Sequence, residues 1–378
     1  MLPRQIGRLG RMTVSELPIS TLVGGAAFLV GIIFGATAQR TNFCTMGALS
    51  DIVFMGDWNR FRAWMLAVAI GVVSTQAMHA SGMIDIGKSI YLSGAIAWSG
   101  AVLGGLMFGF GMTLAGGCGN KTLVRIGGGN LKSVVTFMVV GLFAYMTLKG
   151  LIGLARVQME AVTNVAIAGK AANQGIPALL AAMGLPETLA RWGVTAAIGG
   201  GLLVFCFKDH EFRSSPNDMI GGVIIGLMVP AGWWVTGVLG ADEFEPTMLS
   251  SFTFVAPIGD TLQYLMTFSG STINFGIAAV GGVIVGSFLS SITSNSFHVE
   301  AFSDSSDMLR HLLGAALMGT GGVLAMGCTI GQGLTGMSTL SITSVIALFS
   351  ILFGGVWGLK FMEEGSVGGA LKAVFARG

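Results

Sequence analysis

Apolar residues run along this chain in long continuous stretches, separated by short polar or glycine-rich intervals. Read as spans of roughly 17 to 25 residues, the length that crosses a bilayer core, the candidates begin near Thr21, Ala63, Gly94, Leu131, Leu189, Met219, Thr247, Asn274, Met308 and Leu340. Several are interrupted by glycine. The pattern predicts about nine or ten membrane helices, whereas a β-barrel would show weak alternating segments of about ten residues.

Composition supports that reading. Hydrophobic residues make up 53% of the 378 positions and charged residues only 10%, with 60 glycines and 8 prolines; mean hydropathy is +0.78. A soluble domain of this size would need more charge to cover its surface. The expected class is an all-α polytopic membrane protein in one membrane domain, 1–378. Arg4, Arg8 and Arg11 before an apolar stretch ending in Ala36, Thr37 and Ala38 resemble a signal peptide. The stretch exceeds a typical signal h-region and leads directly into a cysteine motif, so the first helix is expected to be retained.

Two segments about two hundred residues apart form an internal repeat. Gly111 to Cys118 reads GMTLAGGC and Gly321 to Cys328 reads GGVLAMGC. Glycine, leucine, alanine, glycine and cysteine recur at an offset of 210, and the match extends upstream to Gly104/Gly314 and Gly109/Gly319. A duplicated thiol in a glycine-rich break predicts a site at the interface of two repeats, with 1–213 as the first and 214–378 as the second. Charge differs between these halves: 16 Lys+Arg against 8 Asp+Glu up to Arg213, a balance of +8, and 4 against 10 from Ser214 onward, a balance of −6. That asymmetry reads either as topology-setting loop charge or as attraction for an anion.

Metal chemistry is poorly supported. There is no C-x-x-C, and His79, His210, His298 and His311 are scattered without ligand spacing. Cys206 lies inside the apolar string GLLVFCF and reads as a small hydrophobe. Cys44, Cys118 and Cys328 differ: each follows an apolar helix and opens a short polar, glycine-bearing stretch. At membrane depth such a break survives only where protein covers it or where it lines a hydrated cavity. A helix restarting after the break points free N–H groups and a positive dipole end into that cavity, which suits an anion. GGCGNKT departs from the spacing of a nucleotide-binding loop, so an ATPase is not expected.

The strings GFGMTLAGGCGNKTLVRIGGGNLKS, AMGCTIGQGLTG, NFCTMGALSD and SFTFVAPIGD resemble the YeeE/YedE family of membrane proteins, associated with uptake of thiosulfate and other sulfur compounds. The resemblance covers nearly the whole chain. It implies an hourglass of pseudo-symmetric halves, with short helices dipping to the middle and Cys118, Cys328 and Cys44 marking the path of a sulfur anion. It also implies a multi-pass protein of the bacterial inner membrane and a soluble sulfur-carrier partner. One departure is visible. Gly24, Gly25 and Gly35 echo weakly at Gly221, Gly222 and Gly232, which would place Ala241 opposite Cys44. Trp233 and Trp234 nearby read as an interfacial aromatic belt.

Thiosulfate is a dianion with a soft terminal sulfur, and stripping its water in a low-dielectric passage demands strong donors. Neutral thiols attract such an ion without trapping it, and backbone N–H groups near Gly117, Gly119 and Gly327 supply further donors. Lys121 and Arg125 are expected to draw the anion to a mouth lined by the amide donors Asn120 and Gln332, with Thr329 among the binding residues; the same charges also read as a topology-setting loop. The leading expectation is a permease or channel-like transporter using no cofactor and no metal and binding no nucleic acid. A persulfide or redox-relay enzyme and a purely structural membrane subunit are the alternatives.

Overall fold

The computed structural model describes residues 18–167, 171–242 and 247–375. Arg4, Arg8 and Arg11 lie outside these residues. From the first helix onward the chain is almost entirely helical. Helix α1 (Ile19–Arg40) is followed by the short α2 (Thr45–Met55), then α3 (Asn59–Ala80), α4 (Trp98–Leu114), the short α5 (Gly119–Gly127) and α6 (Leu131–Lys149). Helices α7 (Leu151–Thr163), α8 (Ile176–Ala182), α9 (Glu187–Thr195), α10 (Gly201–Phe207) and α11 (His210–Arg213) lead to α12 (Pro216–Trp234). The chain closes with α13 (Val255–Met266), α14 (Phe275–Thr293), α15 (Ser305–Leu324), α16 (Ile342–Glu364) and α17 (Val367–Phe375). A two-residue antiparallel pairing of Ala95–Ile96 with Val165–Ala166 ties the loop before α4 to the end of α7.

Eight of the described helical stretches are long and apolar enough to cross a membrane. Helix α15 has 20 residues, but Asp307, Arg310 and His311 occupy its first turns and shorten its apolar run. The span expected from Thr247 is not a helix. Residues up to Phe254 form no regular element, and α13 begins only at Val255 with 12 residues. The reason is local bonding. Ser251 Oγ donates to the Val229 carbonyl at 2.8 Å, and Thr236 Oγ1 bonds the Ser250 carbonyl at 2.6 Å, so this segment spends its polar groups on α12. Pro257, in the first turn of α13, removes only an amide that has no intrahelical partner there.

Glycine fixes the central crossing. A Cβ on Gly104 would stand 2.6 Å from the Gly321 carbonyl oxygen, and one on Gly314 would stand 2.6 Å from the Gly111 carbonyl oxygen. The contacts run in opposite senses along the two helices, so α4 and α15 cross antiparallel with their backbones touching. In contrast, α1 packs parallel to α14 through Gly31, Gly35, Gly282 and Gly286, and α12 packs parallel to α3 through Gly222 and Gly226. Lipid supplies little drive for helices to associate, so close backbone approach and dispersion carry the assembly.

The crossing predicts a sharp contrast between glycines. Gly104→Leu drives a side chain into the α15 backbone and should cost about 1–3 kcal/mol or more, read as lost monodisperse protein and earlier thermal unfolding in detergent. Gly200→Ala, where a Cβ meets nothing within 4 Å, should leave both unchanged.

Candidate functional site

Both cysteine segments break their helices in the same way. Ala115 N donates to the Gly111 carbonyl at 3.0 Å and Ala325 N to Gly321 at 2.9 Å; Gly117 N reaches Met112 at 2.8 Å and Gly327 N reaches Gly322 at 2.7 Å. Helix then restarts with Thr122 N on the Cys118 carbonyl at 2.9 Å and Gln332 N on the Cys328 carbonyl at 2.8 Å. The turn needs a left-handed residue, which is Gly116 at φ 69° in one break and Met326 at φ 56° in the other. Beyond the second break the chain forms a π-helical stretch, Gly331–Gly336, in place of a regular short helix.

Four helix starts meet at the centre. Cys44 caps α2, accepting the Gly47 N–H on its sulfur at 3.4 Å, and Cys118 caps α5. Cys328 accepts the Gly331 N–H at 3.4 Å, and Phe254 precedes α13. The Cys118 thiol faces both the Cys44 thiol and the Thr329 hydroxyl, the Phe254 backbone lies beside Cys328, and a Cβ on Gly119 would sit 3.6 Å from the Phe254 Cβ. These contacts bring three thiols and one phenylalanine to a single place. Phe254 directly precedes α13 as Cys44 directly precedes α2, at the same offset of 210 that separates Cys118 from Cys328. The Phe254 ring meets Phe34 edge-on at 5.4 Å and lies tilted against Phe252 at 6.1 Å.

A cavity of about 490 Å³ opens from one side and reaches Cys44. Arg60, Lys121 and Arg125 stand on its wall with Asp51 and Glu300. Arg60 is paired with Asp51 at 2.8 Å. Lys121 Nζ donates instead to Asn42 Oδ1 at 2.8 Å and Arg125 to the Gly116 carbonyl at 2.7 Å, so among the described residues neither has a carboxylate within ion-pair distance. Both hold neutral partners and keep their charge for the cavity. Glu300, in the loop before α15, is bound by Lys132 at 3.2 Å.

Asn120 and Gln332 do not line this cavity. Both are buried beyond it: Asn120 is 1% exposed with neither amide atom bonded within the protein, while Gln332 donates to the Ala325 carbonyl and leaves its Oε1 unpaired. Buried polar atoms normally find partners, so these groups are poised to accept or donate. Gly117 and Gly327 sit in tight packing: a Cβ on Gly117 would press on Lys121, and Gly327, at φ 158°, packs against the Gln332 amide. Cys206 lies elsewhere, in a small cluster with Ala63, Leu66 and Phe212, its thiol donating to the Arg62 carbonyl at 3.2 Å. Trp233 is no interfacial residue; it is fully buried and donates to Ser338 Oγ at 3.2 Å, while Trp234 beside it is exposed. Sequence reasoning missed Arg60, Asn42 and Phe254. Asn42 and Phe254 sit inside quoted motifs without a distinguishing neighbour, and Arg60 carries no motif at all.

Helical spans broken at a buried, polar, thiol-bearing centre, with a cationic cavity on one face, define a membrane transport protein. A family model described as sulphur transport matches residues 40–357, and the chain belongs to that family. It is thus a multi-pass membrane transporter for sulfur compounds rather than an enzyme. Among its relatives, the thiosulfate transporter TsuA of Escherichia coli K12 is 28% identical over 346 residues, covering 88% of this chain and 92% of that protein. The TsuA of Spirochaeta thermophila is 25% identical over 336 residues, 86% and 95% of the two chains. The probable transporter YedE of Salmonella typhimurium is 34% identical over 103 residues, 27% of this chain and 23% of its own.

The Glu300 carboxyl is held below the ordinary carboxylate range, chiefly by its hydrogen bond with Lys132 and further by Asn130. Because the folded value is the depressed one, its stabilisation is complete above the unfolded carboxylate range and is lost as pH falls through the folded value. The side chain is 46% exposed, so the contribution is below about 1 kcal/mol. Glu300→Gln should lower the unfolding midpoint by about 1–2 °C at pH 7, a difference that disappears in acid.

Proposed function

We propose that this protein carries thiosulfate across the bacterial inner membrane, passing it from the cationic cavity along Cys44, Cys118 and Cys328. The observation that supports this most is the meeting of Cys44, Cys118 and Cys328 with the N-terminal ends of their helices. Each such end carries roughly half a positive charge, and several aimed at one point favour an anion without placing a full cation in the passage. Lys121 and Arg125 raise the local anion concentration at the mouth. The unpaired Asn120 amide and the Thr329 hydroxyl then replace part of the water the ion leaves behind.

The duplicated breaks and the reciprocal contacts of Gly104 with Gly321 and of Gly111 with Gly314 support two repeats, 1–213 and 214–378. The antiparallel crossing of α4 and α15 supports an axis perpendicular to both helices, and with it repeats inverted across the membrane. The relatives named thiosulfate transporters support the substrate. A soluble sulfur carrier receiving the anion belongs to this reading through the family resemblance alone.

Uptake of radiolabelled thiosulfate into proteoliposomes, with sulfate as competitor, tests the proposal. Cys118→Ser should retain part of the flux by keeping a donor, while Cys118→Ala should lose about tenfold or more, the worth of one hydrogen bond to a charged group. Both should narrow the preference for thiosulfate over sulfate, since the soft thiol is what meets the terminal sulfur. Cys206→Ala should leave uptake intact. Equal transport of the two anions by the parent protein, or full discrimination by the serine variant, would remove the thiols as the selective element.

Lys121→Gln should raise the half-saturating thiosulfate concentration and flatten its dependence on ionic strength, with little change in maximal rate. An unchanged salt dependence would mean that Lys121 serves only to hold Asn42.

A further inference from the structure

We infer that the path continues past Cys328 into a neutral subsite made by the hydroxyls of Tyr91 and Thr253, from which the anion is released on the face opposite the cationic cavity. The inference rests on the reading of the thiols as the transport path. Helix register across the two breaks sets Gly331 against Lys121 and Thr335 against Arg125, each at the offset of 210. The two cations of the near side thus have no charged counterpart beyond Cys328. What stands there instead is a pair of hydroxyls. A Cβ on Gly331 would collide with Thr253 Oγ1 and lie 3.5 Å from the Tyr91 hydroxyl, while the Gly331 N–H itself donates to Cys328 Sγ at 3.4 Å. The Tyr91 hydroxyl lies beside Thr253 and toward Cys328.

The tyrosine is held so that only its hydroxyl is free to change partners. Tyr91 is 3% exposed; its ring meets Trp233 edge-on at 6.5 Å, and its carbonyl accepts from Gln174 Nε2 at 2.9 Å. Its place on the far side follows from α3. This helix begins beside Arg60 in the cationic cavity and, with 22 residues, rises about 33 Å before the loop that carries Tyr91. Two surface cavities flank that loop. One of about 270 Å³ is lined by Ile86, Gly87 and Leu92 with His79 and the Arg191–Glu187 ion pair, and one of about 370 Å³ by Asp85 and Lys88, so the charges at this face stand at its surface and not at the two hydroxyls. An anion at Tyr91 is therefore a few residues from water.

A neutral last station has a clear physical use. Conduction needs each site to hold an ion weakly enough for it to leave, and a cation in this low-dielectric setting would bind a dianion far more strongly than two hydroxyls do. Hydroxyl donors replace lost water at roughly the strength of ordinary hydrogen bonds to charge.

The test uses the full chain in proteoliposomes with radiolabelled thiosulfate, and separately in detergent to measure thiosulfate binding. Tyr91→Phe keeps the ring and its packing on Trp233 but removes the donor, and Thr253→Val removes the second hydroxyl at nearly constant shape. Each should lower the maximal rate about tenfold while the half-saturating concentration and the detergent binding constant stay within about twofold. Parental rates in both variants would overturn the subsite and leave the thiol path standing, provided Cys118→Ala still lowers flux about tenfold or more in the same preparation. A parent protein that moves no thiosulfate would sink both readings. A rise in half-saturation equal to the fall in rate would place the two hydroxyls in the binding step and refute their role in release.

Discussion

Unpaired backbone groups inside a bilayer have no water to turn to, and this constraint shapes the centre of the protein. Each interrupted helix exposes N–H groups where it restarts, and every such end must meet protein or a bound ion. Here the restarting ends are brought together and partly satisfied by sulfur: Gly47 and Gly331 give their N–H groups to Cys44 and Cys328. A thiol is suited to that place because sulfur accepts a weak bond from the backbone while its hydrogen stays free to donate. The same atoms that make the breaks tolerable therefore make them attractive to an anion.

Convergence of this kind demands that the supporting helices approach more closely than side chains normally allow. The α4–α15 crossing supplies it, since Gly104, Gly111, Gly314 and Gly321 let backbone lie on backbone on both sides of the centre. Placing the crossing just before the two breaks means that each break begins from a fixed point. The matching hydrogen bonds at Ala115/Ala325 and Gly117/Gly327 follow from this. At the left-handed position the second half has Met326 where the first has Gly116, a residue held at positive φ at some cost in strain.

Much of this was legible in the residues because the repeat is chemical as well as structural. The duplicated Gly, Leu, Ala, Gly and Cys around positions 118 and 328 announced two equivalent breaks, and the apolar runs announced the spans. The α2–α13 pair was not legible. Ser251, Phe252, Thr253 and Phe254 are as apolar on average as a membrane segment, and hydropathy does not tell a chain facing the core from one facing lipid. The weak glycine echo at an offset of 197 aligned α1 with α12 correctly in kind, but a π-helical stretch, Val235–Leu239, and an irregular loop before α13 shift the later register to 210. Phe254 thereby escaped notice as the counterpart of Cys44. Asn120 and Gln332 read from sequence as amides lining the mouth, yet their burial away from the cavity depends on packing that no local pattern encodes.

Inverted repeats would by themselves make the two mouths alike, so the departures from symmetry carry the functional sense of the molecule. At the offset of 210, Phe254 stands where the first half has Cys44, Gly331 where it has Lys121 and Thr335 where it has Arg125. Each change removes a donor or a charge from one side only. Phe254 also fills space, packing against Phe34 and Phe252 where its counterpart is open to the cavity. The near side is built to gather a dilute anion from water, which long-range charge does well. On the path proposed, an ion past the thiols needs no further gathering, and a second set of cations would hold it where it must leave. On the transport reading proposed above, the difference in affinity between the two sides rests on these three positions, together with the π-helical stretch Gly331–Gly336 that stands where the first half has α5.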